Sequence, residues 1–395
     1  MKEAIVAKDV KVSLHDVPIP TPAPDQVLIK VIFSGSNPKD WKFSHMGEPH
    51  NSGDDMAGII EAVGENVTEF KKGDRVAAFH EMTTPHGSYA EYAIAWAYTT
   101  FHLPRKTSFE EVRDQDFLNV SWLITNSGRY YTLGSNDRSC RLVSRPWSSR
   151  AMEMRHSQAL ATDCLRWIKC CGMNLSPTTI TMIICLIDNK GAFAIKLAQA
   201  SNIHPIIAVA GRGQSYVETL ITRSKGDTII DYRSGDKAVV SGIKSVLEKA
   251  GITEPEVKYA FDAVSEHNSY QNLSEILSRA SKISLLLSDK DFEEIPDYIR
   301  KIKTMVGIVH MDVSSPGFLG VAGLAGGKDF GFIFSRLFSR GLQEGWFTGH
   351  PYEVVPGGLN GVEQVLRTIR QESIAQLSIS LRLKIQCRQQ PPETK

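Results

Sequence analysis

Between about residues 191 and 290 the chain alternates between two hydrophobic periodicities, and that alternation limits its fold more than any other feature. GAFAIKLAQAS places apolar residues at helical spacing, HPIIAVAG is a short unbroken apolar run, and SYVETLITRSKG is helical again and closes on a glycine. DTIIDY, AVVSGIKSVLEKAG, VKYAFDAV and SKISLLLS continue the succession as strand, helix, strand and strand. Short apolar runs linked by helices read as parallel strands covered on both faces. The expectation is a doubly wound parallel sheet.

The first 105 or so residues follow a different rule. VLIKVIFSG is apolar, β-branched and alternating, MAGIIEAVGENV is a strand interrupted by glycine, and GDRVAAF and GSYAEYAI are further short strands between turn residues. Strands of this length and spacing suggest a small barrel. The 395 residues, 42% hydrophobic and 23% charged, exclude a mostly disordered chain and suggest two or three domains. With 45 basic and 44 acidic side chains the net charge is +1, too small to hold nucleic acid or an anionic membrane. No apolar run reaches the roughly 18–20 residues of a membrane span. The opening MKEAIVAKDVKVSLHDVPIP alternates and is charged, so it reads as a strand and not as a signal peptide. The expectation is a soluble, cytoplasmic enzyme.

Several segments carry a family resemblance. SGSNPKDWK (34–42), GDDMAGIIEAVGENVTEFKKGDRV (53–76) and GSYAEYAI (87–94) resemble the barrel domain of the medium-chain dehydrogenases/reductases. GAFAIKLAQ (191–199), DTIIDYR (227–233) and VKYAFDAVSE (257–266) resemble their nucleotide domain, and HPYEVVPGGLNGVEQVL (350–366) the closing segment of fungal zinc-independent members. That group includes quinone-reductase-like proteins and the trans-enoyl reductases that serve polyketide synthases. The resemblance implies an α/β fold, with a GroES-like β-barrel catalytic domain and a Rossmann sheet. It divides the chain into a barrel (1–111), an anomalous segment (112–190) in place of the linking helix and the first Rossmann strand, a nucleotide domain (191–290) and a return to the catalytic domain with a tail (291–395).

The departures from the family pattern bear on the chemistry. Zinc-dependent members carry a Cys after the second barrel strand and a His-Glu pair before the A-G stretch. Here those places read Ser36-Asn37-Pro38 and Asp54-Asp55. A catalytic zinc needs about three protein ligands, so no metal is expected. A carbonyl must then be polarised by hydrogen bonds or positive charge. The resemblance puts Asn37, Asp40 and Lys42 in the substrate cleft, with Lys42 the best cation for a developing enolate. The bland reading makes Lys39 and Lys42 surface lysines and Asp40 a cap.

In the nucleotide domain Gly191 is the last glycine of a turn whose first glycine is missing. The turn reads Asp188-Asn189-Lys190, with an acid where phosphate should sit. After HPIIAVA comes Gly211-Arg212-Gly213-Gln214-Ser215, with no acid for a ribose hydroxyl. Arg212 and Ser215 suit a 2′-phosphate, and Tyr232 resembles the tyrosine that packs near it. Leu286, in SKISLLLS, completes the cofactor set, and NADPH is the expected cofactor. The implied activity is reduction of an enone, enoyl thioester or quinone in fungal secondary metabolism, with a polyketide synthase as candidate partner and a monomer or homodimer as the assembly.

Residues 112–190 match neither neighbour. They lack sustained periodicity, and five of the six cysteines fall in this window, Cys170 and Cys171 adjacent and without zinc spacing. YTLGSNDRSCR (131–141), with its codons shifted by one base, can spell I-P-L-G-A-M-T-A-A-V-G, close to the family's linking helix. A wrong reading frame flanked by retained intron is one account, and genuine divergence the other. Three functional readings follow: a reductase, a ligand-binding protein without turnover, and a non-catalytic product of a misread gene that does not bind nucleotide. GGKDFGFIFSRLFSRG (326–341) fits an acyl-sized cleft, a core helix or a dimer seam equally well.

Overall fold

The computed structural model describes residues 1–45, 47–109, 184–186, 189–251, 257–286, 290–315, 317, 321, 326–374 and 381–385. Of the anomalous segment only 184–186 and 189–190 fall within that set, so the reading-frame account, Asp188, Cys140, Cys164, Cys170 and Cys171 lie outside the described residues.

The N-terminal alternation forms a hairpin of β1 (Lys2–Ala7) and β2 (Lys11–Asp16). The next apolar alternation forms β3 (Gln26–Gly35), and α1 (Pro38–Phe43) follows at once. β4 (Asp55–Val63), β5 (Arg75–Phe79), β6 (Tyr92–Trp96) and β7 (Thr100–His102) continue the sheet antiparallel, with β6 on β3. Val27, Ile29 and Val31 of β3 are fully buried and pack with Met56, Ile60, Val76 and Tyr89. Each such aliphatic side chain contributes about 1.5–3 kcal/mol on burial. Gly58 of β4 is required where the strands close up, because a Cβ there would lie 2.1 Å from the Lys30 carbonyl oxygen.

From α2 (Asn189–Ala200) to β12 (Leu277–Leu285) the second unit follows the alternation read in the sequence, but a first strand stands inside the segment expected to replace it, and a further helix and an outer strand are added. It runs β8 (Ile184–Leu186), α2 (Asn189–Ala200), β9 (Ile207–Ala210), α3 (Gln214–Glu218), β10 (Thr228–Asp231), α4 (Asp236–Lys249), β11 (Val257–Asp262), α5 (Ser269–Ser274), β12 (Leu277–Leu285) and β13 (Arg300–Lys303). The ladders β10-β9-β8 and β11-β12-β13 are parallel, and β8 lies against β11. The order β10-β9-β8-β11-β12-β13 is that of the doubly wound dinucleotide-binding fold, with its switch point between β8 and β11. The sheet runs on past residue 290, since β13 is its outer strand.

The chain then enters α6 (Gly327–Glu344) and returns to the barrel through β14 (Glu353–Val355), α7 (Val362–Ile374) and β15 (Leu381–Lys384). β15 pairs antiparallel with the end of β3, Arg382 opposite Gly35. The aromatic segment is a core helix. Phe330, Phe334 and Phe338 recur every fourth residue, are buried, and pack with Phe79 and Phe101 of the barrel and Phe193 and Phe261 of the nucleotide sheet. Arg336 fastens the same helix to the barrel, donating to the carbonyls of Ala97, Tyr98 and Thr100 at 3.2 Å each and to Glu69. Among the described residues no helix is long and apolar enough to cross a membrane.

Candidate active site

On the barrel side the site is built around α1. Asn37 precedes a proline fitted to the first helical position, so the helix starts at a defined residue. The Asn37 N–H donates to Asp40 Oδ2 at 2.8 Å, and the Asp40 N–H to the Asn37 carbonyl at 3.0 Å. Asp40 has no exposed surface. Its Oδ1 accepts from Lys39 Nζ at 2.5 Å, and Lys39 also donates to Asp54 and to the Ser52 carbonyl. The Tyr89 hydroxyl lies 2.9 Å from Asp40 Oδ2 and 2.7 Å from Ser36 Oγ. With one proton, it donates to the carboxylate and accepts from the serine. Asn37 Nδ2 donates to Asp55 Oδ2 at 2.6 Å.

This cluster gathers three acids and one lysine away from water. Burial raises the Asp40 carboxyl, opposed by Lys39 and reinforced by Asp54. Burial pulls the other way on Lys39, but Asp40, Asp54 and Asp55 outweigh it and hold the ammonium protonated. Burial and then Asp40 push the Tyr89 hydroxyl well up.

Asn37 and Asp40 are thus brought together, while Lys42 stands apart from them. Lys42 is half-buried, with its ammonium 5.9 Å from the centroid of the Trp41 ring. The lysine of the buried network is Lys39, which the sequence presents as one more charged residue in a polar turn. The signal that could have found it is the Lys39-Asp40 pair followed by Asp54-Asp55, an acid excess in a segment bounded by buried strands. Asp40 is a cap, as the bland reading has it, and also the acceptor at the centre of the network.

On the nucleotide side, residues just past the ends of parallel strands share one edge of the sheet. Gly191 is buried in the first turn of α2, which begins two residues earlier, at Asn189. Gly211 follows β9, and a Cβ on it would sit 2.5 Å from the Tyr232 ring, so turn and tyrosine are in contact. Arg212 and Ser215 are exposed beside them. Asp231, in register with Ala210, accepts from the Arg233 guanidinium at 2.6–3.1 Å. The Arg233 side chain and N–H hold that carboxyl down to about 2. Leu286 follows β12, its N–H donating to Ser265 Oγ at 3.1 Å, and the Ser265 N–H donates to Asp262 Oδ1 at 2.8 Å. The ends of β11 and β12 are thereby tied together. The Asp231–Arg233 pair was missed in the sequence because the acid stands at the end of the third strand and not the second.

Neither of two cavities lies at these groups. One of about 580 Å³ is bounded by Lys2, Glu91, Gly357, Asn360 and Lys384, and one of about 240 Å³ by His80, Thr84, His86 and Trp96. The positions that bind zinc in metal-dependent relatives do not fit that metal. They offer hard oxygens and a carboxamide, with an ammonium already between Asp40 and Asp54.

Comparison with known proteins agrees with this architecture. Residues 23–105 match the alcohol dehydrogenase GroES-like domain. The chain is 38% identical over 366 residues to the trans-enoyl reductase fsr4 of Gibberella fujikuroi, covering 91% of this chain and 92% of that protein. It is 47% identical over 103 residues to the quinone oxidoreductase of Sus scrofa, which covers 24% of this chain and 30% of that one. The structure of mycobacterial Rv1454c complexed with NADPH superimposes with a TM-score of 0.61 at 17% identity, over 97% of this chain and 100% of that one. The fold is of the barrel-plus-Rossmann type, and the similarity to these reductases marks the chain as an oxidoreductase. The chain belongs to the medium-chain dehydrogenase/reductase family.

Proposed function

We propose that the chain is an NADPH-dependent reductase of a carbon–carbon double bond conjugated to a carbonyl, acting on an enoyl thioester or enone, with quinones as the related alternative substrates. The observation that carries this reading is the end-to-end similarity to a trans-enoyl reductase. The 2′-phosphate would be held by Arg212 and Ser215, with Tyr232 packed against the same turn and Gly191 and Leu286 on the same edge. Bound NADPH would supply a hydride to the β-carbon of the substrate. Negative charge then develops on the carbonyl oxygen, and a proton must reach the α-carbon. Lys42 is the cation on α1 free of the buried network, and it would donate to the developing enolate oxygen. Asn37 and Asp40 would act by fixing the start of that helix. No step uses a metal. A polyketide synthase that delivers the acyl chain, within fungal secondary metabolism in the cytoplasm, is the setting this reading favours.

A competing reading rests on the phosphate turn. α2 begins at Asn189 directly after Asp188, where relatives carry glycine, and a chain so built could fail to bind nucleotide. Titration of tryptophan fluorescence with NADPH separates the two. Quenching that saturates, followed by NADPH oxidation with crotonyl-CoA or a quinone, supports the reductase. Saturable quenching without oxidation of either substrate favours binding without turnover, and no quenching at all favours the defective product.

A further inference from the structure

The two stretches that carry metal ligands in zinc-dependent relatives are Ser36-Asn37-Pro38 and Asp54-Asp55 here, and in this fold one ammonium lies between them. Lys39 Nζ bonds Asp54 directly and reaches Asn37 through Asp40, whose second oxygen accepts the Asn37 N–H and the Tyr89 hydroxyl. The Lys39 side chain is 17% exposed, while Asp40 and Asp54 are 0% and 3% exposed. A cation so enclosed is held by several bonds at once, unlike the solvated surface pairs elsewhere in the chain such as Lys72–Glu61.

We propose that Lys39 is the positioning residue of the barrel half of the site, its ammonium cross-linking the β3–α1 turn to the start of β4 in the place where metal-dependent relatives use zinc. The cross-link sets the direction of α1. Lys39 is the second residue of the helix, directly after Pro38, and Lys42 lies about one turn on. Without the ammonium, Asp40 and Asp54 face each other in a buried space with no counter-charge between them, and Asp40 turns from its Asn37 and Tyr89 donors toward water. Removal of one partner from such a network leaves the other charges uncompensated. The catalytic part of this inference rests on the reductase reading, but the positioning part does not.

The test uses the full chain in four forms: wild type, Lys39→Met, Lys39→Arg, and Lys39→Met combined with Asp54→Asn, which removes the charges as a pair. Amide exchange of the Asn37 N–H is followed against that of Ile29 and Ala93, paired within the barrel sheet. In Lys39→Met the Asn37 amide should exchange at least about tenfold faster while the sheet amides hold, the loss expected for one charge-assisted bond. The paired variant should keep the fold and show the same loosened Asn37. With crotonyl-CoA, kcat should fall by about tenfold or more in Lys39→Met, with the NADPH dissociation constant within about twofold of wild type. Lys39→Arg should restore most of both losses. Unchanged Asn37 exchange in Lys39→Met, or an arginine form no better than the methionine form, would overturn the proposal. A wild-type chain that turns over neither an enoyl thioester nor a quinone would sink the reductase reading alone, since the exchange measurement still decides the role of Lys39.

Discussion

His310 provides a test of the seam between the two domains. It ends the turn Val306–His310, stacks on Phe79 at 5.3 Å between ring centroids, and places Nδ1 3.0 Å from the Tyr98 hydroxyl. Burial above all, then His80 and Lys328 nearby, lowers its pKa to about 3. In the unfolded chain the same ring titrates near 6.5. Above that pH both states are neutral and the residue has no linkage effect. As pH falls below about 6.5 the unfolded chain takes up a proton that the native ring refuses, so stability declines until about pH 3. The slope approaches about 1.4 kcal/mol per pH unit, which between pH 6.5 and 4.5 amounts to about 2 kcal/mol. His310→Gln keeps a hydrogen-bonding group toward Tyr98 and removes the titration. Urea unfolding of both chains at pH 6.5, 5.5 and 4.5 should show the wild type losing about 2 kcal/mol more than the variant across that window. Parallel losses in the two chains would refute the reasoning.

Other outcomes are equally specific. Arg336→Met strips a charged donor from three barrel carbonyls, and the guanidinium is partly reachable by water, so a loss of about 2–4 kcal/mol in urea is expected. A change under about 1 kcal/mol would contradict the clamp. Arg212→Ala should weaken NADPH binding by about tenfold or more and leave NADH nearly unchanged, read by fluorescence titration. Equal losses for both nucleotides would make the arginine structural. Restoring the linking helix and the glycine turn should tighten NADPH by about a hundredfold, since two or more backbone donors at about 1.5–3 kcal/mol each are regained. Low-micromolar binding by the present chain would instead make Asp188 to Gly191 a working phosphate loop. Elemental analysis of the purified protein should find no stoichiometric zinc, and about one zinc per chain would be decisive against the ligand argument.

Periodicity made the architecture legible. The apolar runs HPIIAVAG and DTIIDY became adjacent parallel strands, the first buried and the second half-buried at the edge of the sheet, with helices between them. VLIKVIFSG became the central barrel strand, since its alternate residues have only the barrel interior to enter. GGKDFGFIFSRLFSRG stayed open at the level of sequence. An aromatic stripe of period four fits a cleft, a seam or a core, and only the Phe79, Phe193 and Phe261 side chains around it settle which. The segments of the candidate site stand out in the sequence, but the pairing of charges within them does not. Lys39 and Lys42 are indistinguishable by composition, and what separates them is Asp54, fifteen residues beyond Lys39 and brought in by the turn before β4. Asp231 likewise depends on the register of β10 against β9, which no local pattern records.

The pairing of β15 with the end of β3 has a consequence for how the chain acquires its structure. Leu383 and Arg382 lie opposite Ser34 and Gly35, the residues that lead directly into Asn37. The strand that borders the start of α1 is therefore made about 350 residues after the strand it joins. During synthesis the barrel has an open edge while the whole nucleotide unit emerges, and local contacts form before such distant ones. The Rossmann unit can mature first, and the barrel is finished by the last strand. A premature stop between α6 and β15 would leave a chain with its Rossmann unit intact, the edge of β3 bare beside Asn37, and a surface primed to pair with another chain.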